Sequence, residues 1–118
     1  MLFRSVPTTI AGTDDQTLYQ TERYGKTFSY AFNVPNGTYL VTLKFAELYW
    51  SGPGQRVFNV AINGQPVLSN FDLLANVAKN TALDKTFTTA VTNGVLTVGF
   101  TTVADNAKID AIEILPAP

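Results

Sequence analysis

The sequence predicts an all-β protein, a mostly antiparallel jelly-roll β-sandwich, and three observations carry that expectation. Apolar residues alternate with period two along several runs, the longest being Tyr39 to Trp50. Turn signals such as Pro35-Asn36-Gly37, Asn63-Gly64 and Asn93-Gly94 separate those runs at short intervals. Helical periodicity is almost absent. About seven strands follow; their order does not. A chain of 118 residues is expected to form one domain, residues 1–118, and can bury a core without disulfides.

Composition narrows the function. With 46% hydrophobic and 14% charged residues and a formal net charge of -1, nothing favours nucleic acid or an anionic membrane as partner. The chain has no cysteine and no histidine, which removes disulfides, thiolate metal sites, a Ser-His-Asp triad and the usual zinc sites. No apolar run reaches membrane-spanning length, so membrane insertion is not expected. Met-Leu-Phe-Arg-Ser-Val is too short for the apolar region of a signal peptide. The expected location is secreted or cell-surface, within a larger protein whose export signal lies outside this chain.

Residues 1–9 show no clear period and read as irregular or extended. Thr13 to Thr17 is a polar turn or short helix start with Asp or Thr available as a cap. Leu18 to Gly25 is dense in groups that donate, accept and stack, among them Tyr19, Glu22, Arg23 and Tyr24. From Thr27 a strand sets Phe28, Tyr30, Phe32 and Val34 on one face. Direct pairing with the next strand would match Val34 with Tyr39 and Phe28 with Phe45, but Pro35 disfavours the tightest hairpin. The alternative is that the two strands face each other across the core.

In the Tyr39 run, Tyr39, Val41, Leu43 and Phe45 share the apolar face. At Glu47 that face gives way to a carboxylate, so the strand leaves the core and delivers Tyr49 and Trp50 to a rim. Arg56 to Ile62 alternates next, with Phe58, Val60 and Ile62 inward. Folded back beside the Tyr39 strand, it would set Phe45 opposite Phe58 and Glu47 opposite Arg56, an ion pair holding the rim loop. Asn63-Gly64 returns Pro66 to Leu68 as a hairpin. Residues 70–83 form a short buried loop or a helical turn or two. Asn93-Gly94 is expected to pair Asp84–Thr92 with Val95–Thr102, matching Val91 with Leu96 and Phe87 with Phe100. Lys108 to Leu115 closes the fold as one strand.

Taken together, Leu18–Gly25 (LYQTERYG), Val34–Tyr39 (VPNGTY), Phe45–Trp50 (FAELYW), Gly54–Val60 (GQRVFNV), Ile62–Gly64 (ING) and Asp105–Glu113 (DNAKIDAIE) resemble the malectin domain family, in order and with suitable spacing from about Ile10 to Leu115. The resemblance implies a galactose-binding-domain-like sandwich that binds glucose-containing di- or oligosaccharides without catalysis. It also implies the ligand-binding residues: Tyr24, Tyr49, Trp50 (a Trp where the family has Phe) and Asp105, with Ala107 where the family has Pro. Glu22, Arg23, Glu47 and Arg56 are expected to support them from behind, and Tyr19 and Tyr30 to belong to the core. The family's opening strand has only Met1 to Pro7 in its place here. The expectation is that this strand is missing, leaving a sheet edge exposed through which the chain would form a homo-oligomer.

The residues agree with a sugar site by their own chemistry. A pyranose offers C–H bonds to an aromatic face and hydroxyls to fixed donors and acceptors, which Tyr24, Tyr49, Trp50 and Asp105 supply. The bland reading is that Tyr49 and Trp50 cover core and that Asp105 is a turn former. Two other functions compete. A small glycosidase would pair Glu47 with Asp105 or Glu22, and an adhesion module would use the aromatic rim to bind protein. No cofactor is expected; a structural calcium ion suits the class, but Asp14, Asp15, Asp72 and Asp84 make no EF-hand-like loop and no metal site is assigned.

Overall fold

The computed structural model describes the backbone of residues 2–4 and the whole of residues 5 and 8–118. Its strands are β1 (Leu2–Ser5), β2 (Thr21–Gly25), β3 (Thr27–Asn33), β4 (Gly37–Phe45), β5 (Val57–Ile62), β6 (Gln65–Asp72), β7 (Leu83–Val91), β8 (Val95–Ala104), β9 (Ala107–Ile109) and β10 (Ala111–Pro116). One short helix, α1 (Gln16–Tyr19), precedes β2, and a 3₁₀ turn, Leu73–Ala75, follows β6. The Thr13 hydroxyl, rather than an aspartate, braces the approach to α1 by accepting the Asp15 N–H at 3.0 Å. Three antiparallel sheets result: β3-β8-β5-β6, β10-β4-β7 and β1-β2-β9.

The four-stranded sheet forms one layer of the sandwich, and the two three-stranded sheets line the other side of its core. Alternation does what the sequence asks of it. Tyr39, Val41, Leu43 and Phe45 of β4 are buried, as are Phe58, Val60 and Ile62 of β5 and Leu96, Val98 and Phe100 of β8. Phe45 meets Phe58 and Phe71 with ring centroids 5.8 and 5.3 Å apart. Tyr30 is half-buried against this core, while Tyr19 belongs to a smaller one with Ile10, Ala46 and Leu48.

Strand partners differ from expectation in three places. β3 pairs with β8, and β4 pairs with β7 and β10, so β3 and β4 take the alternative of lying on opposite sides of the core. β5 lies between β6 and β8 rather than beside β4. Phe45 and Phe58 therefore meet across the core instead of along a ladder. The third difference concerns the two Asn-Gly turns. At Asn63-Gly64 both residues are left-handed, with φ of 48° and 79°, and Ile62 pairs with Gln65 in the tight hairpin expected. At Asn93-Gly94 only Gly94 is, with φ of 75°, so the turn is not the mirror-image type that matches strand twist. The Gly94 N–H instead bonds Asn36 Oδ1, its carbonyl accepts the Val34 N–H, and β7 and β8 part into different sheets.

The N-terminal expectation is also corrected. Residues 2–5 form a strand that pairs with β2, Leu2 with Tyr24 through Ser5 with Thr21, so that edge of β2 is covered. Met1, Val6 and Pro7 lie outside the described residues. A four-residue strand carries too little alternation to be read from sequence, and only its partner defines it. The closing strand is likewise two strands: β9 pairs with β2 and β10 with β4, and the chain changes sheet at Asp110, whose N–H bonds the Lys44 carbonyl.

Candidate functional site

Beyond Phe45 the chain loses its ladder neighbours, and buried charges take over. Glu47 is fully buried and Arg56 nearly so. Arg56 Nε donates to Glu47 Oε1 at 2.6 Å and Nη2 to Oε2 at 3.2 Å, a two-pronged pair. Glu47 Oε2 also accepts the backbone N–H groups of Tyr49 and Trp50, at 3.2 and 3.4 Å. The partners are those expected, but they close across the end of the sandwich instead of sitting opposite each other in one sheet. Leu48, between them, is buried with Ile10 and Tyr19, so alternation along the loop turns Tyr49 outward. Tyr49 is 54% exposed, and its ring stands at 90° to that of Trp50, centroids 4.7 Å apart.

Asp105 reaches the same place from 55 residues away. Its Oδ2 accepts the Trp50 indole N–H at 3.1 Å and lies 3.5 Å from Arg56 Nη1. Arg56 Nη1 bonds the Asn106 carbonyl at 2.8 Å, and Lys26 Nζ bonds the Asp105 carbonyl at 2.5 Å. Asp105 has φ of 63°, a left-handed position that Asp tolerates. It is thus a turn former and a contact of Trp50 at once.

Tyr24 sits in β2 opposite Lys108 of β9, and Gly25 opposite Ala107, two residues from Asp105. Paired residues in an antiparallel ladder project to one face, and Lys108 Nζ on that face bonds the Ala46 carbonyl. Tyr24 is therefore on the side of β2 that looks toward the Ala46–Trp50 segment. Tyr49, Trp50 and Asp105 thus meet at one pole, and Tyr24 lies in the adjoining ladder, one pair from Gly25 and Ala107. Of the four expected supporting residues, Glu47 and Arg56 join them. Glu22, on the Tyr24 face of β2, is buried with Oε1 2.7 Å from Lys108 Nζ. Arg23 does not join them, because alternation points it the other way, with its guanidinium 5.0 Å from the Phe28 ring centre and 4.4 Å from that of Tyr30.

Sequence reasoning missed Lys108 and Asp110. Lys108 is fully buried and lies 2.9 Å from Asp110 Oδ1, which also accepts the Ala46 N–H at 3.1 Å. The signal was two charges spaced i, i+2 on one face of an apolar strand. Burial pushes the Asp110 carboxyl up to about 7, against the pull of Lys108. Burial and the bond to Asp84 raise the Tyr19 hydroxyl well above its usual range, so it stays protonated and donates to Asp84 at 2.5 Å. Among the described residues, no three acidic side chains gather to hold a metal.

The sandwich itself is a fold that occurs within larger proteins of several kinds. A β-glucuronidase of Bacteroides uniformis superposes with a TM-score of 0.88 at 21% identity, over 98% of this chain and 14% of that one. The extracellular domain of ANXUR2 from Arabidopsis thaliana superposes with a TM-score of 0.85 at 19% identity, over 96% and 38%. At these identities the likeness is one of fold. Sequence goes further: the Malectin domain profile matches residues 3–112, and the chain belongs to that family. It is 39% identical to mouse malectin over 99 residues, 82% of this chain and 32% of the relative. To human malectin it is 40% identical over 87 residues, 72% of this chain and 30% of the relative. The chain thus spans about a third of the length of these curated relatives.

Proposed function

We propose that this is a non-catalytic carbohydrate-binding domain, and that Tyr24, Tyr49, Trp50 and Asp105 form its site for glucose-containing di- or oligosaccharides. The observation that carries the reading is the Trp50 indole bonded to the Asp105 carboxylate beside the exposed Tyr49 ring. A sugar needs a flat ring with an acceptor at its edge, and a carboxylate has about four acceptor positions, more than Trp50 and Arg56 occupy. Family membership supports the same chemistry. The ion pairs of Glu47 and Glu22 speak against the glycosidase reading, because each buried carboxylate is engaged by a cation of the protein itself. In this proposal the domain works at the cell surface or outside the cell as part of a larger protein. Self-association has lost β2's edge as its reason, and sedimentation reads directly whether it occurs.

Trp50 is the only tryptophan, so its fluorescence reports the site. Titration with glucose disaccharides and longer glucans should shift it with a dissociation constant on the order of micromolar to millimolar. Asp105→Gly removes the carboxylate without straining the left-handed backbone and should abolish the response. No response to any glycan, with capture of a protein ligand instead, would replace this reading by the adhesion one.

A further inference from the structure

We propose that Lys108 and Asp110, with Glu22 behind them, are positioning residues that grip Ala46 by both of its backbone polar groups and so set the segment carrying Tyr49 and Trp50. This rests on the proposed sugar site for its consequence, but not for its geometry. Ala46 is the first residue past β4 and is fully buried. Of the residues just before it, Lys44 is paired on both sides, with Ala111 and Asp84, and Phe45 on one, with Leu83. At Ala46 those ladders have ended. A buried N–H and C=O left there without partners would be costly. Asp110 Oδ1 accepts the N–H at 3.1 Å, and Lys108 Nζ donates to the C=O. Two side chains thus stand in for a strand.

The two can do this because of where they lie. Asp110 is the point at which the chain passes from the sheet of β9 to that of β10, and its own N–H is tied to Lys44. A residue at that joint cannot shift without moving both sheets. The next residue, Glu47, begins the second set of bonds, which orders Tyr49 and Trp50 directly. Fixing Ala46 therefore fixes the root from which that second set is aimed.

The grip is adjustable in strength. Asp110 Oδ1 holds both Lys108 and Ala46, whereas Oδ2 is buried with no hydrogen-bond partner among the described residues and is the oxygen that can take a proton. Among the described residues, the charged groups around it are Lys108 on β9 and Glu22 and Arg23 on β2, with the neutral Tyr19 hydroxyl of α1 beyond them. Asp84 on β7 is occupied by Tyr19 and Lys44. A protonated Asp110 still accepts through Oδ1, but as a neutral group, and such bonds are about half as strong as charge-assisted ones. The root of the loop then loosens as pH falls through about 7.

The experiment uses the ligand-free protein between pH 5.5 and 8.5. Hydrogen exchange of the Ala46, Tyr49 and Trp50 amides, corrected for intrinsic rate, is compared with that of Val60 in the core, alongside acrylamide quenching of Trp50. Protection at Ala46 should fall about fivefold from pH 8.5 to 5.5 while Val60 does not follow. Asp110→Asn, which fixes a neutral acceptor in the same place, should show the low-pH level throughout. Maltose titrations then ask whether affinity tracks the loosening. If the wild type binds no sugar at any pH but the exchange profile behaves as described, the sugar reading fails and the positioning role stands. An Ala46 protection independent of pH, or an Asp110→Asn protein indistinguishable from wild type at pH 8.5, overturns the positioning role. Should the variant not fold, the wild-type profile decides alone.

Discussion

Two buried ionic clusters hold the stretch from Ala46 to Trp50, and they are built differently. Around Glu47, both oxygens are engaged: the fork of Arg56 takes one on each, and Oε2 also receives two loop N–H groups. Around Lys108, one ammonium lies between the carboxylates of Glu22 and Asp110, and Asp110 Oδ2 has no hydrogen-bond partner among the described residues. A guanidinium and a carboxylate match in shape, so the first cluster can satisfy itself inside the protein. An ammonium is a point charge and leaves oxygens over. The first arrangement suits a fixed geometry, and the second leaves an oxygen that can take up a proton.

Removing the cation of each cluster tests this most sharply. Lys108→Met leaves two carboxylates buried together without their ammonium, and should cost about 4 kcal/mol of stability at pH 7.5 in urea unfolding. A loss under about 1 kcal/mol would mean that water already reaches the cluster. Arg56→Ala strands one buried carboxylate and frees the Asn106 carbonyl, so about 3 kcal/mol is expected, with faster exchange at Tyr49 and Trp50. If Trp50 quenching is unchanged in that variant, Glu47 does not depend on Arg56 to order the loop.

The carboxylate at Asp110 gives the next effect, and its sign is set by the direction of its shift. A folded-state value raised from 3.8 to about 7 contributes stability that is full below about pH 4 and is lost as pH rises to 7. Asp110→Asn should flatten that part of the stability profile and so gain on the wild type above pH 7, even as it loosens Ala46. Parallel profiles for the two proteins between pH 4 and 8 would show that Asp110 does not titrate there. The smallest effect belongs to the solvent edge of the first cluster. Asp105 is partly exposed, so Asp105→Gly should cost under about 1 kcal/mol while removing the proposed sugar response. A large loss of stability would recast Asp105 as a structural residue.

The sequence alone determined which residues alternate inward, because the strand period is local: Tyr39, Val41, Leu43 and Phe45 are buried as their spacing requires. It also determined the Asn63-Gly64 hairpin, the end of β4 before Glu47, and the family, since the matching segments are spread over most of the chain. Of the four candidate ligand-binding residues, alternation alone brings Tyr49 and Trp50 to a rim, and only the family resemblance joins Tyr24 and Asp105 to them. Tertiary structure decided the rest. Which strands pair depends on partners tens of residues apart, so Asn93-Gly94 could join two sheets where its composition suggested a hairpin, and Glu47 could find Arg56 across the end of the sandwich rather than along a ladder. Lys108 and Asp110 read as ordinary charges on a closing strand. Only a fold that ends two ladders at Ala46 gives them a buried N–H and C=O to hold, because the cost of an unpartnered backbone group arises where water has been excluded.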